Sequence, residues 1–72
     1  MKLTELEEGE IGTVSQINLG PGARRNLSSR GITRGSKLKM IRSSNGPVVV
    51  KTGGTQMAVG RGMARKINIL KR

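Results

Sequence analysis

The chain has 72 residues and a formal net charge of +10, with 11 glycines and no cysteine, histidine, phenylalanine, tryptophan or tyrosine. One small core is all this length supports, and no disulfide or thiolate metal site reinforces it. The missing histidine and cysteine also remove the usual transition-metal ligands and the usual catalytic base, so neither a metal cofactor nor an enzyme is expected.

The opening MKLTELEEGE has no apolar h-region, so it does not read as a secretion signal. It holds all four acids, Glu5, Glu7, Glu8 and Glu10. Thr4 precedes Glu7 by three positions, a capping-box spacing that predicts a helical turn over 4–8, stopped at Gly9. Residues 10–19 read as a strand. Its apolar residues Ile11, Val14, Ile17 and Leu19 break strict alternation, which predicts a bulge or bend between Val14 and Ile17. Gly20-Pro21-Gly22 ends the strand, and a short helix follows over 23–30 with Ala23, Leu27 and Arg30 on one face. Gly31 suits the position just past the helix, with Ile32 packing back on its end.

Strands then recur at short intervals. Residues 36–42 alternate Lys37 and Lys39 with Leu38 and Met40, and the turn Ser44-Asn45-Gly46-Pro47 leads back into 48–52. Gly53-Gly54 is a second tight turn before 55–59. Residues 60–66 leave room for one helical turn, and 67–70 form a last strand. The pattern predicts a mainly β protein, a small barrel of about five strands with one or two short helices, built as one domain over residues 1–72. Leu27, Ile32, Leu38, Met40, Val48, Val50, Val59, Ile67 and Ile69 are the expected core. Gly20, Gly22, Gly31, Gly35, Gly53 and Gly54 read as positions of special backbone geometry.

The glycine-rich stretch 20–35 is no nucleotide loop. No Gly-Lys-Ser/Thr follows Gly20, and Arg25 stands where a dinucleotide fingerprint needs its third glycine. Four glutamates within six positions read as a solvated acidic cap. Met40, Met57 and Met63 read as gap fillers in a core without aromatics, not as metal ligands. Ser36 and Lys37 are adjacent in a strand and point to opposite faces, so they form no catalytic pair. From residue 11 onward the chain carries thirteen cations and no acid. That surface suits a polyanion, whether an acidic protein face, nucleic acid or anionic lipid.

In order and spacing the chain resembles the FeoA family. The resemblance runs from Leu3–Leu6 with Gly9 and Val14, through Arg25, Leu27, Gly31, Ile32, Gly35 and Gly46-Pro47-Val48. It ends on Val59-Gly60-Arg61, Ala64 and Ile67. It implies an SH3-like barrel that serves bacterial ferrous iron uptake as a non-catalytic interaction module, with the cytoplasmic part of the membrane GTPase FeoB as its partner. It also implies a cytoplasmic location, which the lack of cysteine suits, and a place at the inner membrane face, with an anionic membrane surface as a further contact. Transition metal ion binding is a label of that family for which this sequence offers no ligands. Related barrels end metal-responsive repressors, but this chain has no helix-turn-helix pattern. Two positions depart from the family, Arg30 where an apolar residue is usual and Arg34 where proline is common. On this reading the contact surface is the helix with its flanks, Arg24, Arg25, Arg30 and Arg34, and no small-molecule substrate is expected. The alternative is a basic SH3-like nucleic-acid-binding domain, although the chain lacks the aromatics that stack bases.

Overall fold

Alternating burial builds the sheet. The computed structural model describes residues 1–71. A 3₁₀ turn, Leu3–Glu5, precedes β1 (Ile11–Ile17), α1 (Pro21–Ser29), β2 (Lys37–Ser43), β3 (Val48–Thr52), β4 (Thr55–Val59), α2 (Arg61–Ala64) and β5 (Ile67–Lys71). Leu38 and Met40 of β2 and Val48 and Val50 of β3 point inward and are fully buried, while Lys37, Lys39 and Lys51 between or beyond them are exposed. The strands pair antiparallel in the order β4-β3-β2-β1-β5. The protein is thus mainly β with two short helices, as expected. β4 and β5 lie at the two edges of the curled sheet, and α2 connects them with Ala64 buried in the core.

Two bulges bend the sheet. One falls between Val14 and Gln16 against β5, where the broken alternation predicts it. The other lies between Met40 and Arg42 against β3 and has no such signal. Gly53 and Gly54 have φ of +57° and +85°, the two left-handed residues that a tight β3–β4 hairpin requires.

The helix begins earlier than the glycines imply. Pro21 is its first residue and Gly20 its cap, because a proline at that position has a preset φ and gives up only an N–H with no helical partner. Gly20 therefore keeps a negative φ of −67°, and Gly22 lies within the helix, so neither needs special geometry. The other end is as expected. The Ile32 amide donates to Leu27 O at 2.9 Å and the Gly31 amide to Ser28 O at 3.0 Å, with Gly31 at φ +89°. Buried Leu27 and Ile32 supply the apolar contact of this cap.

The N-terminal turn is shifted from its expected place over 4–8. The carboxylate that reaches back is Glu5, which accepts from the Lys2 amide at 2.5 Å, while the Glu7 amide donates to Glu10 Oε1 at 2.7 Å. Tertiary pairing explains the shift. Lys2 bridges Asn68 of β5, and the Ile69 amide donates to Met1 O at 2.6 Å, so the turn must start at once. Its spacing of three then puts Leu3 and Leu6 on the same buried side. All nine expected core positions are buried, and Leu3, Leu6, Val14 and Ala64 join them. Met40 is inside and Met57 and Met63 pack partly buried against the cluster, occupying space that aromatics would otherwise fill.

Two charge pairs make contrasting predictions. Lys39 stands directly opposite Lys51 across β2 and β3, and both are exposed. Like charges so placed oppose pairing, so Lys39→Glu is expected to stabilise the fold by about 0.5 kcal/mol, seen as a higher urea midpoint. Lys71 instead pairs with Glu10. The Lys71 hydrogen bond, aided by the Glu7 amide, holds the Glu10 carboxyl below its ordinary pKa, and the Lys71 ammonium is correspondingly raised. A lowered folded-state carboxyl contributes stability above its unfolded pKa and loses it as pH falls through the folded one. A raised ammonium loses its contribution as pH climbs past the lysine range. Glu10→Gln should therefore lower Tm at neutral pH, and the gap to the parent should close when the same melts are run in acid.

Candidate partner-docking cleft

The first helix and its flanks frame an open cleft of about 540 Å³. Gln16 and Ile17 at the end of β1 form one wall, and Pro21, Arg24, Arg25 and Ser28 of α1 form the other. Fully buried Ile32 lies at its base, followed by Thr33 and Arg34 on the loop to β2. None of these lining residues is acidic.

The loop holds Arg34 in a fixed place. The Ser36 amide donates to Thr33 O at 3.0 Å, closing a turn whose third residue, Gly35, has φ +91°. Val14 of β1 clamps this turn from below. Its amide donates to Ser36 O and its carbonyl accepts from the Gly35 amide, both at 2.8 Å. Ser36 Oγ accepts from the Thr33 amide and donates to Gly31 O, each at 3.0 Å. Arg34 occupies the second turn position, where proline would preset φ, so here a charge replaces stiffness.

Three of the four expected contact residues meet here. Arg24, Arg25 and Arg34 are exposed, and their guanidinium groups make no hydrogen bond or ion pair among the described residues. Three unpaired cations around a partly apolar cleft make a surface that attracts anionic groups. Arg30 is turned elsewhere. Its Nη1 donates to Ala58 O of β4 and its Nη2 to Asn26 Oδ1, both at 3.1 Å, while Nε is buried without a partner. The helical spacing that groups it with Ala23 and Leu27 carries it to the sheet side of α1. Neither Ile17, which the sequence marks only as a strand residue, nor Thr33 reads as a contact residue in the sequence, and only the folding of β1 against the loop brings them beside the arginines.

Three of the four glutamate carboxylates engage separate partners. Glu5 accepts from Lys2, Glu8 from the Ser43 amide at 3.3 Å, and Glu10 from Lys71 and Glu7. Among the described residues no three His, Cys, Asp or Glu side chains gather where they could hold a metal ion. No helix among them is long and apolar enough to cross a membrane.

The chain is a small, strongly basic, mainly β domain whose cleft is lined by cations and no acid. The FeoA domain model matches residues 1–71, and the chain belongs to the FeoA family. That family consists of small accessory transport proteins, not enzymes. A Methanocaldococcus jannaschii protein named Fe(2+) transport protein A is 51% identical over 63 residues, which cover 88% of this chain and 77% of the relative. The crystal structure of an iron uptake regulatory protein (FeoA) superposes with a TM-score of 0.94 at 33% identity, covering 100% of this chain and 97% of that one. These neighbours identify the sheet as an SH3-like barrel. A manganese-dependent transcriptional repressor in complex with manganese matches with a TM-score of 0.92 at 25% identity, but the match covers only 36% of the repressor.

Proposed function

We propose that this protein is a non-catalytic accessory of ferrous iron uptake, acting at the cytoplasmic face of the membrane by docking on the cytoplasmic part of a FeoB-type membrane GTPase. The FeoA family match and the likeness to an Fe(2+) transport protein A support the iron-uptake role. The observation that carries the docking is the convergence of Arg24, Arg25 and Arg34 on one acid-free cleft with an apolar base. Such a surface draws an acidic protein patch by long-range attraction, and half-buried Ile17 gives it an apolar contact once water leaves. Arg30 belongs to the same helix but supports its attachment to β4, so its part in docking is indirect. Residues 1–72 act here as a single FeoA-type SH3-like domain, which a single cooperative unfolding transition would display.

The test is retention of the solubilised transporter on immobilised protein after nuclease treatment. Expected is recovery of a large membrane GTPase that salt releases. Loss of every partner on nuclease treatment, with RNA or DNA in the untreated sample, would refute the reading and favour a phosphate reader.

A further inference from the structure

The outer face of the sheet carries a second cationic surface that shares no residue with the cleft. Strand register assembles it. Ile11 of β1 stands opposite Lys39 of β2, Lys39 opposite Lys51 of β3, and Lys51 opposite Gln56 of β4. One step along the strands, Leu70 of β5 stands opposite Thr13, and Thr13 opposite Lys37. Partners in register share a face. These side chains therefore project together, spaced about 5 Å between strands and about 7 Å along them.

Two features of this face have no internal explanation. Lys37, Lys39 and Lys51 make no ion pair among the described residues, and Lys39 opposes Lys51 at a cost to the sheet. Beside them Ile11 is 44% exposed and Leu70 64%, two of the three large hydrophobic side chains that the fold leaves in solvent. Glu10, the acid next to Ile11, is already occupied by Lys71.

We infer that this face is a contact surface for anionic lipid, with Ile11 and Leu70 among the headgroups and Lys37, Lys39 and Lys51 on their phosphates. The mixture decides the occupant. A phosphate backbone would use the lysines but offers no apolar seat for Leu70 and Ile11, and the face has no aromatic on which bases could stack. A bilayer interface takes both, because lysine stems lie along apolar surface while their ammonium groups reach the headgroups. The surface does not depend on the proposed docking cleft, and its test leaves that cleft intact.

The experiment is co-sedimentation with vesicles of phosphatidylcholine containing about one third phosphatidylglycerol, against pure phosphatidylcholine. The parent is expected to bind only the anionic vesicles and to be released by salt. Each basic residue at an anionic surface contributes roughly five-fold in partitioning, so Lys37→Glu with Lys39→Glu and Lys51→Glu should lower it by about a hundred-fold or more. Arg24→Glu with Arg25→Glu and Arg34→Glu removes the same charge from the cleft and should lose far less. Ile11→Ser with Leu70→Ser keeps the charge and should still weaken binding several-fold. All of these positions lie on the surface, and circular dichroism checks that each variant is folded. Equal losses from the two triple reversals would overturn the proposal, since net charge alone would then explain binding. So would an absence of parent binding to anionic vesicles, or a protein that ignores vesicles and binds a DNA duplex through the same lysines.

Discussion

Gly12→Ala is expected to destabilise the protein by roughly 3 kcal/mol, enough to leave a domain of this size largely unfolded at physiological temperature. Gly12 is buried in β1, and its missing side chain is where β5 comes closest. A Cβ built there would overlap Ile69 Cγ2 and come within 3.3 Å of Leu70 O. Neither neighbour has room to yield. Ile69 is fully buried and branched at Cβ, so its methyl cannot rotate away without disturbing the core, and Leu70 O is backbone. Relief would require β1 and β5 to separate along the pairing Gly12↔Lys71, Thr13↔Leu70 and Val14↔Ile69. Gly22→Ala is the control. Gly22 lies in α1 with nothing within 4 Å of the added methyl, so that change should stabilise slightly, by about 0.5 kcal/mol. Urea unfolding of both variants decides the matter, and a Gly12→Ala midpoint close to that of the parent would show that the two strands have slack.

Arg24→Glu with Arg25→Glu is the second large effect. Both side chains stand free at the cleft, so reversal should leave the melting curve unchanged and weaken transporter binding by about a hundred-fold, some 3 kcal/mol. Arg30→Gln should behave in the opposite way. Its guanidinium binds Ala58 and Asn26, so losing it costs fold stability while binding falls little in molecules that remain folded. Surface plasmon resonance against the transporter's cytoplasmic part, run beside thermal melts, separates the two. If Arg30→Gln cut binding as deeply as the double reversal, the docking surface would extend over the sheet side of the helix.

Local chemistry accounts for what the sequence made legible. The alternation of lysine with Leu38 and Met40, the Gly53-Gly54 pair and the Gly31-Ile32 helix exit each encode their geometry within a few residues, and each is present. What stayed hidden depends on strand register. Gly12 sits between Ile11 and Thr13 with no turn signal, and only the approach of Ile69, 57 positions away, makes it indispensable. Thr4 and Glu7 have capping-box spacing, but pairing of the first residues with β5 moves the turn upstream. The cationic flank of the helix is recognisable in the sequence as a group of four, yet the turn of the helix carries Arg30 onto Ala58 of β4 and divides it into three arginines and one. The lysine row is half visible as Lys37 and Lys39, while Lys51 and Leu70 join it only across the sheet.

The contact between Arg30 and Ala58 bears on how this protein behaves in a crowd of its own copies. Alternation along β4 turns the backbone groups of Gln56 and Ala58 away from β3, toward whatever lies beyond the last strand. An unoccupied rim of this kind templates the addition of another chain, and a mainly β protein expressed in quantity meets that hazard at every collision. A guanidinium on the Ala58 carbonyl occupies the rim with a charged group that no incoming strand can replace without leaving it buried and unpaired. Arg30→Ala should therefore convert concentrated samples from monodisperse to progressively associating, with light scattering rising over hours while the parent stays clear. The arginine that stands apart from the cleft thus covers part of an otherwise open strand edge.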